Sequence, residues 1–216
     1  LEAFAALASE LPADLTVLMT ILVPPAYFEL GDRVQLLVGF AWAGEDRAEG
    51  EAVVRRLQDA CAPDVAALDP VRWRAFQSAF DDAFPKGVRA YWRNASFDRL
   101  DGPLIDALIE WGGNQTYGTA VDLHHMGGAF GRVPEDATAY PSRAAEYLVN
   151  IYGFWDEPAE DPERIAWVKG FSAALDPHAI AGQYVNFLGH DEADVTSKAL
   201  AVYVPAKFER LVDVKR

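Results

Sequence analysis

Cysteine is almost absent from this chain: Cys61 stands alone among 216 residues. One thiol excludes an intrachain disulfide and a cysteine cage for zinc. It lies at the end of an expected helix with no histidine nearby, so it reads as a small packing residue, not a nucleophile. Histidine is sparse too, with four in the chain. His124 and His125 are adjacent, and adjacent strand residues point to opposite faces, so the two cannot share an ion. His178 and His190 lack zinc-like spacing, and no metal site is expected. Positive charge is short, with 19 Lys and Arg against 33 Asp and Glu, a net charge of -14. A surface that tracks phosphates needs clustered cations, so neither nucleic acid nor an anionic membrane is an expected partner. No apolar run approaches the roughly 20 residues of a membrane span. No charged start with a cleavage site is visible, and a cytoplasmic location is the expectation. A phosphate cradle is missing as well. Gly127-Gly128-Ala129-Phe130-Gly131 has neither the spacing nor the following helix of a dinucleotide site.

What remains is a globular composition, 51% hydrophobic and 24% charged. The length suits one domain over residues 1–216. Alternating and apolar stretches predict strands over residues 15–23, 34–42, 88–94, 119–133, 143–155 and 180–188. Helical spacing predicts helices over residues 1–10, 48–60, 69–84, 98–111, 161–175 and 207–216. Asp69-Pro70 and Asp161-Pro162 each supply a capping residue followed by proline in the first turn. Strands and helices mix without the regular alternation of a parallel sheet. The expected fold class is therefore α+β: a single antiparallel β-sheet with helices packed on one face. The other face then needs a cover or a job.

The most informative stretch is residues 181–188, Ala-Gly-Gln-Tyr-Val-Asn-Phe-Leu. As a strand it puts Tyr184 and Asn186 on one face. A phenol and an amide side by side in an apolar run are either hydrogen-bonded or line a site. Asn150 and Tyr152 likewise share a face with Leu148. Asp122, His124 and Met126 share another. Gly127-Gly128 within a strand signals a bulge or a close approach. Asn94-Ala95-Ser96 and Asn114-Gln115-Thr116 fit a glycosylation pattern, which carries weight only in a secreted chain.

An ordered set of motifs carries a resemblance. It consists of His124-His125-Met126-Gly127-Gly128-Ala129-Phe130-Gly131-Arg132-Val133, then Tyr140-Pro141-Ser142-Arg143, then Tyr184-Val185-Asn186. Together they resemble the C-terminal half of berberine-bridge-enzyme-like FAD-linked oxidases, within the vanillyl-alcohol-oxidase type of flavoproteins. The resemblance runs from about residue 15 to residue 216. It implies a substrate-binding domain whose partner is an FAD-binding domain of the same polypeptide, absent here, with the family's extreme C-terminal tail also absent. The cofactor implied is FAD, held mainly by that missing domain. The ligand implied is a small molecule: an alcohol, a sugar or a secondary metabolite, with oxygen as the electron acceptor. The chain by itself is then expected to be inactive.

The resemblance implies roles residue by residue. Tyr184 is the expected base, with Asn186 orienting it or contacting the flavin. Arg132 and Arg143 are the cations expected to favour its phenolate. Asn150, Tyr152, His124, Arg132, Arg143, Gln77 and Tyr91 are expected to contact the substrate. Two positions depart from the pattern. Ser142 stands where a histidine is usual, and Val149 where the plant enzymes carry a catalytic glutamate. The rival reading is a stand-alone ligand-binding or dimerisation module, for which a homodimer is the expected state.

Overall fold

The computed structural model describes residues 1–78, 81, 86–135, 137–138, 140, 142–180 and 183–187. Five strands form one antiparallel sheet: β1 (Leu15–Leu22), β2 (Gln35–Trp42), β3 (Arg89–Phe97), β4 (Thr119–His125) and β5 (Tyr147–Trp155). Their order is β2-β1-β4-β5-β3. Among the described residues five α-helices accompany them: α1 (Glu2–Ala8), α2 (Arg47–Cys61), α3 (Trp73–Ser78), α4 (Gly102–Gly112) and α5 (Asp161–Leu175). The α+β class and the single antiparallel sheet are as the sequence predicts.

Period-two alternation sorts the strands into an apolar and a polar face. Val17, Met19 and Ile21 of β1 turn one way, with Val121 and Leu123 of β4 and Val149 and Ile151 of β5. Phe4 of α1, Val54 and Leu57 of α2, Leu104 and Leu108 of α4, and Val168 and Phe171 of α5 close over them. Each such side chain contributes about 1.5–3 kcal/mol on burial. Helix α2 starts at Asp46, whose carboxylate accepts from the backbone N–H of Ala48 and Glu49. Helix α4 starts at Asp101, which accepts from Leu104. Among the described residues no helix is long and apolar enough to cross a membrane.

Besides the strand expected over residues 88–94, which runs on to Phe97, three expected strands differ. The fourth stops at His125 and gives way to turns, where Gly128 adopts a positive φ of 71°. A Cβ there would meet the Ala13 carbonyl oxygen at 2.8 Å, so the glycine permits a close approach of two backbones. The fifth starts at Tyr147 rather than residue 143, because Ser142 turns the chain with a φ of 60°.

The third difference concerns the stretch around Tyr184, which is not a strand. Ile180 makes one isolated bridge to Ser96, and Val185–Phe187 forms a single 3-10 turn. The cause is Asn94 of β3. Its side-chain oxygen accepts from the Tyr184 N–H at 2.7 Å, and its Nδ2 donates to the carbonyls of Tyr184 and Phe187 at 3.2 and 3.1 Å. Backbone groups satisfied by a side chain have no need of a ladder. The helix expected over residues 207–216 lies outside the described residues.

Candidate functional site

The sheet face opposite the helices carries a polar row. Cross-strand pairing aligns Thr20 with Asp122, Asp122 with Asn150, and Asn150 with Asn94. One transverse rung thus crosses β1, β4, β5 and β3. At its far end Asn94 holds the backbone of Tyr184. The next rung pairs Ala120 with Tyr152 and Tyr152 with Trp92. There Trp92 meets the edges of Tyr152 and Phe154 at centroid distances of 6.2 and 5.2 Å. A row of aromatic edges beside a row of polar groups suits a ligand with an apolar face and hydroxyls at its rim.

Asp122 is the electrostatic centre of this face. Thr20 Oγ1 donates to its Oδ1 at 2.7 Å, and Tyr152 Oη donates to the same oxygen at 3.3 Å. Burial pushes the carboxyl up to about 6; the two hydroxyls pull the other way but only in part. Tyr152 is raised above the ordinary phenol range, first by its own burial and then by the neighbouring carboxylate. It stays a neutral donor. His124, two residues along β4 on the same face, is half-buried, and desolvation lowers its pKa. Asn150 is only 5% exposed, and its Oδ1 accepts no hydrogen bond among the described residues.

Tyr184 and Asn186 meet despite the change in backbone conformation. Asn186 Nδ2 donates to Tyr184 Oη at 2.6 Å. That bond fixes the position of the phenol oxygen beside the amide. The Tyr184 ring packs against Tyr140 at 4.9 Å and Phe187 at 5.2 Å. Arg143 lies one ring further on: its guanidinium covers Phe130 at 4.5 Å and Tyr140 at 5.0 Å. Its Nη2 donates to Thr138 at 2.6 Å. The donor on the phenol is therefore an amide, and the arginine is a neighbour of the neighbouring ring.

The other expected contacts divide. Asn150, Tyr152 and His124 share the polar face, as their alternation predicts. Tyr91 does not: it points to the helix side, 4% exposed, beneath Arg93 at 4.9 Å and Lys169 at 5.4 Å. Trp92, its neighbour, takes the polar face instead. Gln77 is exposed on α3, and Arg132 is exposed in the turn after β4. His125 turns away from His124 into the apolar side, against Phe4 and Tyr147. Two residues escaped the sequence reading. Asp122 was visible as a carboxylate in mid-strand, but only the register pairs it with Thr20 and Asn150. Asn94 is buried at 1%, which makes it an anchor and withdraws its side chain from glycosylation in the folded state.

A flavin nucleotide would find part of what it needs here. Residues 127–131 run into turns, not into a helix that could face a pyrophosphate. The exposed Asn186 amide beside the Tyr184 phenol fits the polar edge of a planar ring.

No family model matches this chain. Among curated proteins, an uncharacterized FAD-linked oxidoreductase of Bacillus subtilis, YgaK, is 38% identical over 87 residues, covering 38% of this chain and 18% of that protein. Among solved structures, a berberine-bridge-enzyme-like protein of Arabidopsis thaliana, BBE-like 28, superposes with a TM-score of 0.76 at 17% identity, covering 99% of this chain and 49% of that one. Berberine bridge enzyme from Eschscholzia californica gives a TM-score of 0.75 at 16% identity, covering 99% and 48%. Aclacinomycin oxidoreductase gives 0.72 at 18% identity, covering 99% and 47%. The resemblance read from the sequence thus has its counterpart in three dimensions. This chain has the fold of one part of those enzymes and spans less than half of each.

Proposed function

We propose that this chain is the substrate-binding part of an FAD-dependent oxidoreductase that oxidises an alcohol, sugar or secondary metabolite. The observation that carries the reading is the Asn186–Tyr184 hydrogen bond at the end of the polar sheet face. The FAD-linked similarity of YgaK and the fold shared with the berberine-bridge group support it.

On this reading Tyr184 takes the proton of the substrate hydroxyl. Asn186 donates to the phenol oxygen and orients it toward the substrate. Tyr140 and Phe187 fix the ring, and Asn94 fixes the backbone beneath it. Trp92, Tyr152 and Phe154 offer apolar edges against which the substrate lies. The flavin supplies hydride acceptance when bound, with oxygen as the final acceptor in our reading. Asn186 is the residue of this chain that would face it, and the FAD-binding domain of the same polypeptide would hold the nucleotide. The chain alone is then inactive.

The test is spectroscopic. The full-length parent should purify yellow, and its flavin absorbance should bleach without oxygen on adding benzyl alcohol or D-glucose. A colourless parent that holds no flavin contradicts the reading.

A further inference from the structure

We propose that Asn94 is a positioning residue for the reaction: its side-chain amide sets where the Tyr184 phenol stands when the substrate proton is taken. This rests on the oxidoreductase reading above and adds to it a residue of β3 that acts only through Tyr184.

The hydrogen bonds of Asn94 have a polarity that an amide satisfies and its common replacements do not. Its Oδ1 accepts from the Tyr184 N–H at 2.7 Å, while Nδ2 donates to the carbonyls of Tyr184 and Phe187 at 3.2 and 3.1 Å. One acceptor and two donors are thus needed at one point. A hydroxyl offers a single donor, and a carboxylate offers none. Asn94 is 1% exposed, so water has little access to take over these bonds.

Two points then fix the segment on β3. The Ile180 N–H donates to the Ser96 carbonyl at 2.8 Å, and two residues back along the strand Asn94 holds Tyr184. Tyr184 is gripped on both sides of its Cα, through its own N–H and its own carbonyl. What freedom remains is rotation of the side chain, and Tyr140 and Phe187 pack against the ring at 4.9 and 5.2 Å. Asn186 is no substitute for this anchor. It is exposed and bonds the phenol oxygen from within the same turn, so it travels wherever the turn goes. Asn94, by contrast, belongs to the sheet, paired in register with Asn150 of β5. Proton transfer needs the two heavy atoms within about 2.6–3.2 Å. A displacement of about 1 Å can cost on the order of 100-fold in rate. The phenol oxygen lies at the far end of the side chain, where a small backbone rotation becomes a displacement of that size.

The test uses the full-length, flavin-loaded parent and reads the rate constant of flavin reduction in single anaerobic turnovers with benzyl alcohol or D-glucose. Asn94→Ala should lower it about 10- to 100-fold, with the half-saturating substrate concentration and the flavin spectrum little changed. In a Tyr184→Phe background the same substitution should slow the reaction no further, because residues that act as one unit are not additive. A merely structural role would slow both backgrounds alike. Asn94→Asp is the second variant, and it decides alone if Asn94→Ala does not fold. Ionised, the new carboxylate accepts from the Tyr184 N–H but turns oxygen toward two carbonyls. Protonated, it donates to one of them. Its rate, divided by that of the wild type at the same pH, should therefore recover as the pH falls. That ratio removes titrations common to both proteins, the Asp122 carboxyl among them. The proposal is overturned if Asn94→Ala reduces its flavin at the wild-type rate, or if it slows the Tyr184→Phe enzyme as much as the wild type. A ratio for Asn94→Asp that is the same at every pH overturns it too. Each of these results leaves the oxidoreductase reading standing while Tyr184→Phe itself is slow. A Tyr184→Phe enzyme at the wild-type rate removes the base and its anchor together.

Discussion

At the scale of single residues, two buried polar side chains set most of what the polar face can do. Asp122 is the first. Its carboxyl titrates at about 6 in the folded chain against 3.8 for the free group, because burial disfavours its charge. Between those values the unfolded chain ionises first, so stability falls as pH rises from about 4 to about 6 and the penalty is constant above that. Asp122→Asn removes the charge and keeps an acceptor for Thr20 and Tyr152. It should therefore stabilise the protein at pH 7.5, on the order of 2 kcal/mol, and add little near pH 4. Denaturant melts at the two pH values check this; an equal effect at both contradicts it. Asn94 is the second. Its three bonds to the Tyr184–Phe187 backbone are worth about 1 kcal/mol each. Asn94→Ala should cost about 2–3 kcal/mol and open residues 183–187 to limited proteolysis, with the rest of the sheet intact. Unchanged cleavage there would mean that the anchor is dispensable.

Among the elements, the strands were the legible part. Period-two alternation in β1, β4 and β5 announced both the apolar face and the polar residues that share the other. The helix at Asp161-Pro162 was legible, but Asp161 is its first residue rather than its cap, and its carboxylate is taken by Arg89 and Trp155. The helix expected from Asp69-Pro70 starts at Trp73, and the cap at Asp101 lies inside the helix expected from residue 98. The Tyr184 stretch was not legible, and the reason is physical. Gln183, Val185 and Phe187 alternate with Tyr184 and Asn186 as strand residues do. Yet the partner that captures their backbone is a side chain 90 residues away in sequence. No local pattern carries that contact. The role of Asp122 was hidden similarly, since it depends on register with Thr20 and Asn150 rather than on neighbours in sequence. Tyr91 and Trp92 show the opposite case: alternation put them on opposite faces, but only the packing of Lys169 and Arg93 over Tyr91 says which one is inward. The helix layer also has a clear element-level consequence. Phe171 of α5 is fully buried and stacks on Trp111 of α4 at 5.8 Å. Phe171→Ala should cost about 3–5 kcal/mol, read by denaturation, because the cavity between the two helices cannot fully close.

For the molecule as a whole, the sheet separates two tasks. Helices on one side supply the stability; the side left polar presents Asp122, Asn150, Tyr152 and the Tyr184 turn together. The solved structures that share this fold are about twice as long, and the proposed chemistry is tested in a full-length parent. The central claim is that the phenol of Tyr184, held by Asn186, accepts the substrate proton. The most direct measurement is the rate of flavin reduction in a single anaerobic turnover of the full-length parent, wild type against Tyr184→Phe. Removing a general base costs about 100- to 10,000-fold in the chemical step. The account predicts a fall in that range with the flavin spectrum and substrate affinity little changed. A Tyr184→Phe enzyme that reduces its flavin at the wild-type rate contradicts it.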